Sequence, residues 1–298
     1  MRLNKEAIRN SLYGTLNVLQ PLFRRFYKRD NLRVLAYHTI PDPAAFEKQL
    51  VYLKRHYNLI SVYDLIDHME KGKKLPDRPL LITFDDGDMS MYTHGLPLFK
   101  KYKVPALLFI ITGLIGTDTP FWWNTVQEYY GSRGEANISL AKKNELKRIP
   151  NKERLAALDK MQEHIPGFRQ EQLSRKQLEE LSGHHITMGN HSHTHPMFDQ
   201  LTDEEWEKEF ELTEAFFKME NLPGYQWFAY PNGNYDATRE HILKEHQIKA
   251  AFLFDHHIND ASISPLRISR IKVNTYDPLA EFKVKVSGLH GYISRTRS

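Results

Sequence analysis

Leu80-Leu81-Ile82-Thr83-Phe84-Asp85-Asp86-Gly87 is an apolar run that stops on two adjacent carboxylates and a glycine. A run of this length between turn signals reads as a buried strand, so Asp85 and Asp86 belong to its C-terminal tip, at a mouth and not inside a core. Side chains alternate along an extended segment, but the chain turns at a strand end, and Gly87 permits a turn on which both carboxylates converge. Two like charges held close need a cation or a proton between them, which suggests a metal or a general base. A surface Asp-Asp-Gly turn is the plain alternative.

Outward from this strand the text alternates strand with helix. Arg33 to Tyr37 reads as a strand, and Asp42-Pro43 caps a helix that runs to about His56. Leu59-Ile60 is a short strand, and Ser61 with Asp64 opens a helix that Gly72 closes. A helix near Leu96 to Tyr102 leads to a strand at Ala106 to Ile111, and Ser174 with Gln177 opens a helix before the strand His185 to Met188. Thr202 with Glu205 caps a helix with Trp206, Phe210 and Phe217 on one face. Strands follow at Gln226 to Tyr230, Ala250 to Phe254 and Arg270 to Val273, and Asp277-Pro278 opens a last helix that Gly288 stops. This order predicts an α/β fold with parallel strands and crossover helices. Seven or eight strands favour a barrel, with an open sheet as the alternative. Residues 117–175 break the rhythm with charged helical segments, one capped by Asn151, and read as a helical insertion in one strand-to-helix connection.

The chain has 298 residues, 41% of them hydrophobic, enough for one large barrel or two modest domains. Without cysteine it has no disulfide, thiolate metal site or cysteine nucleophile. Its net charge of +4 is concentrated at the start: eight basic side chains against Glu6 and Asp30 in residues 1–33 give +6 locally and leave −2 for the rest. The body therefore has no nucleic-acid footprint. Residues 1–30 read as a basic amphipathic helical segment, either a cap on the barrel of residues 31–298 or a peripheral contact with an anionic membrane. No stretch has the length of a spanning helix and no signal-peptide pattern is evident, so the expected location is cytoplasmic, peripheral to the inner face of the membrane if that contact forms.

A second motif tips the balance at Asp85-Asp86. Gly189-Asn190-His191-Ser192-His193-Thr194-His195 puts three histidines directly after a predicted strand. Imidazole with carboxylate suits zinc and other first-row divalent ions, and a catalytic site takes three protein ligands and keeps a position open. One Asp and two His supply that number, the pair being His191/His195, His191/His193 or His193/His195.

Thr83-Phe84-Asp85-Asp86-Gly87, His191-Ser192-His193-Thr194-His195 and Pro231-Asn232-Gly233 resemble the first three motifs of the polysaccharide deacetylases with a NodB homology domain, carbohydrate esterase family 4 type. The resemblance runs from about Val34 to Val273. It implies a distorted (β/α) barrel of about seven strands and a metal-dependent hydrolase that removes acyl groups, above all N-acetyl, from an amino-sugar polysaccharide or glycan precursor. Carried over by position, Asp86, His191 and His195 hold the divalent metal, zinc before cobalt, nickel or iron; Asp85 is the base; Asn232 lends a backbone N–H to the oxyanion; His193 stands by. The sequence departs from the family at two points. Ala229 or Tyr230 stands where an Arg often opens the third motif, so Arg270, before Arg267, is a candidate to reach Asp85 from the last strand, with an ordinary surface or structural ion pair as the alternative. The late general-acid His is not recognisable either, and His38, after the first strand, is expected in its place, with His256 and His257 as the poorer match. Trp122, Trp123 and Tyr92, in predicted loops, are candidate walls for a sugar ring or hydrophobic anchors for the insertion. The alternatives are an amide hydrolase acting on a lipid-linked, nucleotide-linked or non-sugar substrate, and a carbohydrate-binding relative without turnover.

Overall fold

The computed structural model describes residues 13–16, 18, 29–260 and 262–289. The amphipathic segment expected at residues 1–30, with its membrane contact, lies mostly outside them. No helix among the described residues is long and apolar enough to cross a membrane.

Among the described residues eight strands form one curled parallel sheet: β1 (Arg33–Tyr37), β2 (Asn58–Leu59), β3 (Pro79–Phe84), β4 (Ala106–Ile110), β5 (Ile186–Asn190), β6 (Trp227–Ala229), β7 (Ala250–Phe252) and β8 (Ile271–Lys272). The order across it is β7-β6-β5-β4-β3-β1-β8, with β2 paired beside β3. Ile268 bridges Phe252 on β7, while Leu35 and Ala36 on β1 pair with Ile271 and Lys272, so one short segment joins the two flanks of the row. This is the distorted (β/α) barrel.

Strands β1, β3 and β4 are buried along their whole length because helices cover one face and the barrel interior the other. The two faces have separate cores. Leu80, Ile82 and Phe84 join Phe46, Leu50 and Phe99 of the surrounding helices, whereas Leu81, Leu107, Phe109, Phe252 and Ile268 meet inside. Period-two alternation carries the inner face from Leu81 through Thr83 to Asp85, and from Ile268 through Arg270 to Lys272. The sequence pattern alone thus sends Asp85 and Arg270 to the same interior.

Several helix starts have the expected caps. Ser61–Asp64, Ser174–Gln177 and Thr202–Glu205 are reciprocal capping boxes, and the Asp42 side chain accepts from Ala44 and Ala45. Asn151 does not cap: it is the first residue of the helix Asn151–His164, and its side chain instead meets Glu205 and Arg154. The last three strands are shorter than their apolar runs suggest. Between β4 and β5 the helices Trp122–Ser132, Ser139–Leu146 and Asn151–His164 occupy the stretch read as an insertion.

Candidate active site

Asp85 and Asp86 open a cleft of about 310 Å³ at the C-terminal ends of the strands, the face on which barrels of this kind place their sites. The turn that frees them is sharper than a single glycine: Asp86 and Gly87 are both left-handed, at φ 75°. His195 and Asn232, at φ 54° and 57°, share that uncommon conformation for non-glycine residues. The same conformation occurs away from the cleft as well, at Arg78, Lys103 and Gln247 among others.

Asp85 is buried and held by a two-pronged ion pair. Arg270 Nη1 donates to Oδ1 at 2.6 Å and Nη2 to Oδ2 at 2.9 Å, while the Arg270 Nε donates to the Leu253 carbonyl. Burial works to raise the Asp85 carboxyl, but Arg270, with His191 and His38 behind it, prevails and holds it below the usual range. Arg267 is not involved, since it pairs with Glu240. His38 lines the cleft with Nε2 4.0 Å from Asp85 Oδ2. His256 and His257 are not among the lining residues, and His257 pairs with Asp255.

Asp86, His191 and His195 bring one ligand atom each within 4.8 Å of one another. Asp86 Oδ1 lies 3.3 Å from His191 Nε2 and 3.5 Å from His195 Nε2. His191 Nδ1 donates to the Ala229 carbonyl at 2.8 Å, which leaves the Nε2 lone pair facing Asp86. Burial first, then the neighbouring His191, push the His195 imidazole down to about 3, so it is neutral near pH 7, as a ligand must be. The Trp122 indole N–H stands 3.4 Å from His195 Nδ1. With a cation on Nε2, the ring proton of the neutral imidazole would sit on Nδ1, the nitrogen that faces Trp122. Two imidazoles and a carboxylate fit a first-row divalent metal.

The i, i+4 histidines face the cleft because the loop between them is tied down. Ser192 N–H donates to Asn190 Oδ1, His195 N–H to Ser192 Oγ, and the His193 and Thr194 amides to Glu209. His193 turns away to Thr112 Oγ1, at 2.9 Å.

Asn232 lines the cleft, and its side chain accepts from Lys147 Nζ and donates to Asn234, both at 2.6 Å. Gly233 has φ 75°, and a Cβ there would stand 2.6 Å from Phe254 Cβ, so the turn requires glycine. Trp122 and Trp123 begin the first inserted helix and line the cleft, with the Trp123 ring centroid 5.0 Å from that of His195. Tyr92 is set apart from them. It sits in a π-helical turn, Met91–Gly95, packs on the outer core and donates its hydroxyl to Glu180, so the expectation that it forms a cleft wall is corrected.

Sequence reasoning missed Lys143, Lys147, Lys272 and Phe254, which also line the cleft. Only the two-residue alternation from Arg270 to Lys272 offered a signal. The two inserted lysines had none, because which face of an insertion meets the barrel is a tertiary fact.

Residues 72–251 match the family model described as polysaccharide deacetylase. A poly-beta-1,6-N-acetyl-D-glucosamine N-deacetylase of Staphylococcus aureus is 40% identical over 74 residues, 24% of this chain and 25% of the relative. One of Staphylococcus epidermidis is 40% identical over 73 residues, again 24% and 25%. The aligned part thus spans about a quarter of these relatives. The Streptococcus pyogenes deacetylase PplD, solved with acetate, superposes with a TM-score of 0.62 at 18% identity, covering 86% of this chain and 98% of that one. IcaB from Ammonifex degensii gives 0.61 at 21% identity, covering 88% and 98%. At those identities the structures speak for the fold.

Proposed function

The chain belongs to the polysaccharide deacetylase family, and from that premise we propose that it is a metal-dependent hydrolase removing acyl groups, N-acetyl first, from an amino-sugar polysaccharide or glycan precursor. The observation that carries this reading is the different surroundings of adjacent carboxylates: Asp86 faces His191 and His195 while Asp85 is paired with Arg270.

Asp86, His191 and His195 are the residues to hold the metal, with zinc favoured by the ligand set. Bound there, a divalent ion supplies Lewis acidity toward the amide carbonyl. The remaining steps fall to the chain. Arg270 fixes the Asp85 carboxylate in its ionised form, ready to take a proton from the attacking water. Water oxygen joins the acyl carbon, and the backbone N–H of Asn232 is the donor assigned to the charge that develops on the carbonyl oxygen. The C–N bond then breaks as His38 delivers a proton to the departing amine. Trp122 and Trp123 offer aromatic surface to the sugar.

Acetate release from N-acetylglucosamine oligomers, measured on protein stripped by chelation and reloaded with zinc, tests the proposal. Activity lost with the metal and restored with it supports the reading. Metal binding without acyl release from any acetylated amino sugar overturns it.

A further inference from the structure

Three lysines crowd a cleft whose carboxylates among the described residues, Asp85 and Asp86, are already committed. Lys143 and Lys147 come from the insertion, and Lys272 continues the inner-face alternation of Ile268 and Arg270 toward the mouth. Among the described residues none of the three pairs with an acid. Lys143 Nζ donates to Gln127 Oε1 at 2.9 Å, Lys147 Nζ to Asn232 Oδ1 at 2.6 Å, and Lys272 Nζ stands 5.4 Å over the Phe254 ring. Lysines elsewhere do find acids: Lys100 meets Glu180, Lys101 meets Glu47, and Lys285 meets Asp277. The acids of the cleft offer no compensation, since Asp85 is neutralised by Arg270 and Asp86 faces the metal position.

We infer that the cleft is selective for an anionic glycan, whose oxyanion, a phosphate or a carboxylate on or beside the acetylated sugar, is seated between Lys143 and Lys147 on one side and Lys272 on the other. The inference rests on the deacetylase reading and narrows its substrate class. Burial and then the repulsion of Lys272 lower the Lys147 ammonium, and burial and then Lys147 lower Lys143. Lys143 and Lys147, and Lys147 and Lys272, therefore repel, and an anion relieves what neutral partners do not. Lys147 also reaches the side chain of the residue assigned to the oxyanion, so a seated anion lies next to the reacting amide. Beyond Lys147 the surface continues in a depression lined by Arg148 and Asn144, whose acid, Asp199, accepts from Asn234.

The test compares three tetramers on the zinc-loaded full chain: neutral N-acetylglucosamine, the same bearing one phosphate, and N-acetylglucosamine alternating with glucuronate. A higher kcat/KM on either acidic tetramer is expected, and which one leads distinguishes phosphate from carboxylate. In the double variant Lys143→Gln, Lys272→Gln the acidic-to-neutral ratio of kcat/KM should fall about 2- to 30-fold, mainly through KM, as the loss of two partly screened ion pairs implies. Added salt should erode the same ratio in the unaltered protein. Equal kcat/KM on all three tetramers overturns the inference and leaves the deacetylase reading standing. A loss of kcat on every substrate alike in the double variant also overturns it, since that is the mark of lysines that only hurry the ammonium product away. Release from none of the three removes the deacetylase reading and the inference with it.

Discussion

The barrel rim and the insertion both line the cleft, and they are built differently. Asp85, His191 and Arg270 are buried side chains at or beside strand ends, each oriented by a hydrogen bond or an ion pair to the barrel, and His195 is buried beside them on a backbone whose amide is tied to Ser192 Oγ. Trp122, Trp123, Lys143 and Lys147 ride on or beside inserted helices, are half-exposed, and touch the rim at a few points such as Trp122 to His195 and Lys147 to Asn232. On the proposed function, the groups assigned to the metal and to proton transfer stand on the sheet, whereas most of those assigned to the substrate stand on the insertion, with Lys272 as the rim's own contribution.

That contrast can be broken by substitution. His191→Ala should produce the largest effect: one of three ligands disappears, and both zinc content and acetate release should drop to background in metal analysis and end-point assay. Arg270→Met should act next, on stability as well as turnover, because it leaves the Asp85 carboxylate buried without its partner. A loss of about 3–5 kcal/mol is expected in urea unfolding. Trp123→Ala on the insertion side should be mildest, raising KM about 2- to 10-fold with kcat and zinc content little changed, the scale of one aromatic contact. Should Trp123→Ala cost as much turnover as His191→Ala, the two halves are not separable and the contrast fails.

The rim was largely legible in the sequence because its signals are local. A strand that ends on Asp85-Asp86-Gly87 and another that ends on three alternating histidines both deliver their side chains to the same sheet edge. Parallel topology does the rest, and period two alone places Arg270 on the face of Asp85. The choice of His191 and His195 was not local: it depends on Glu209, in the next helix, taking the amides of His193 and Thr194. Tyr92 was misplaced because a helical turn, Met91–Gly95, follows soon after the Asp-Asp-Gly stretch and carries its ring to the outer core. The insertion was visible as an interruption of the alternation, but the composition of charged helices does not say which face meets the barrel, so the lysines of the cleft went unread.

The central claim is that two adjacent carboxylates have different work, and Asp85→Asn beside Asp86→Asn tests it most directly. Zinc affinity by calorimetry and acetate release are to be measured on both. Asp85→Asn should bind zinc like the unaltered protein and lose turnover by about 10²- to 10⁴-fold, the usual worth of a general base, whereas Asp86→Asn should lose the zinc itself. Zinc lost from Asp85→Asn and retained by Asp86→Asn would contradict the account.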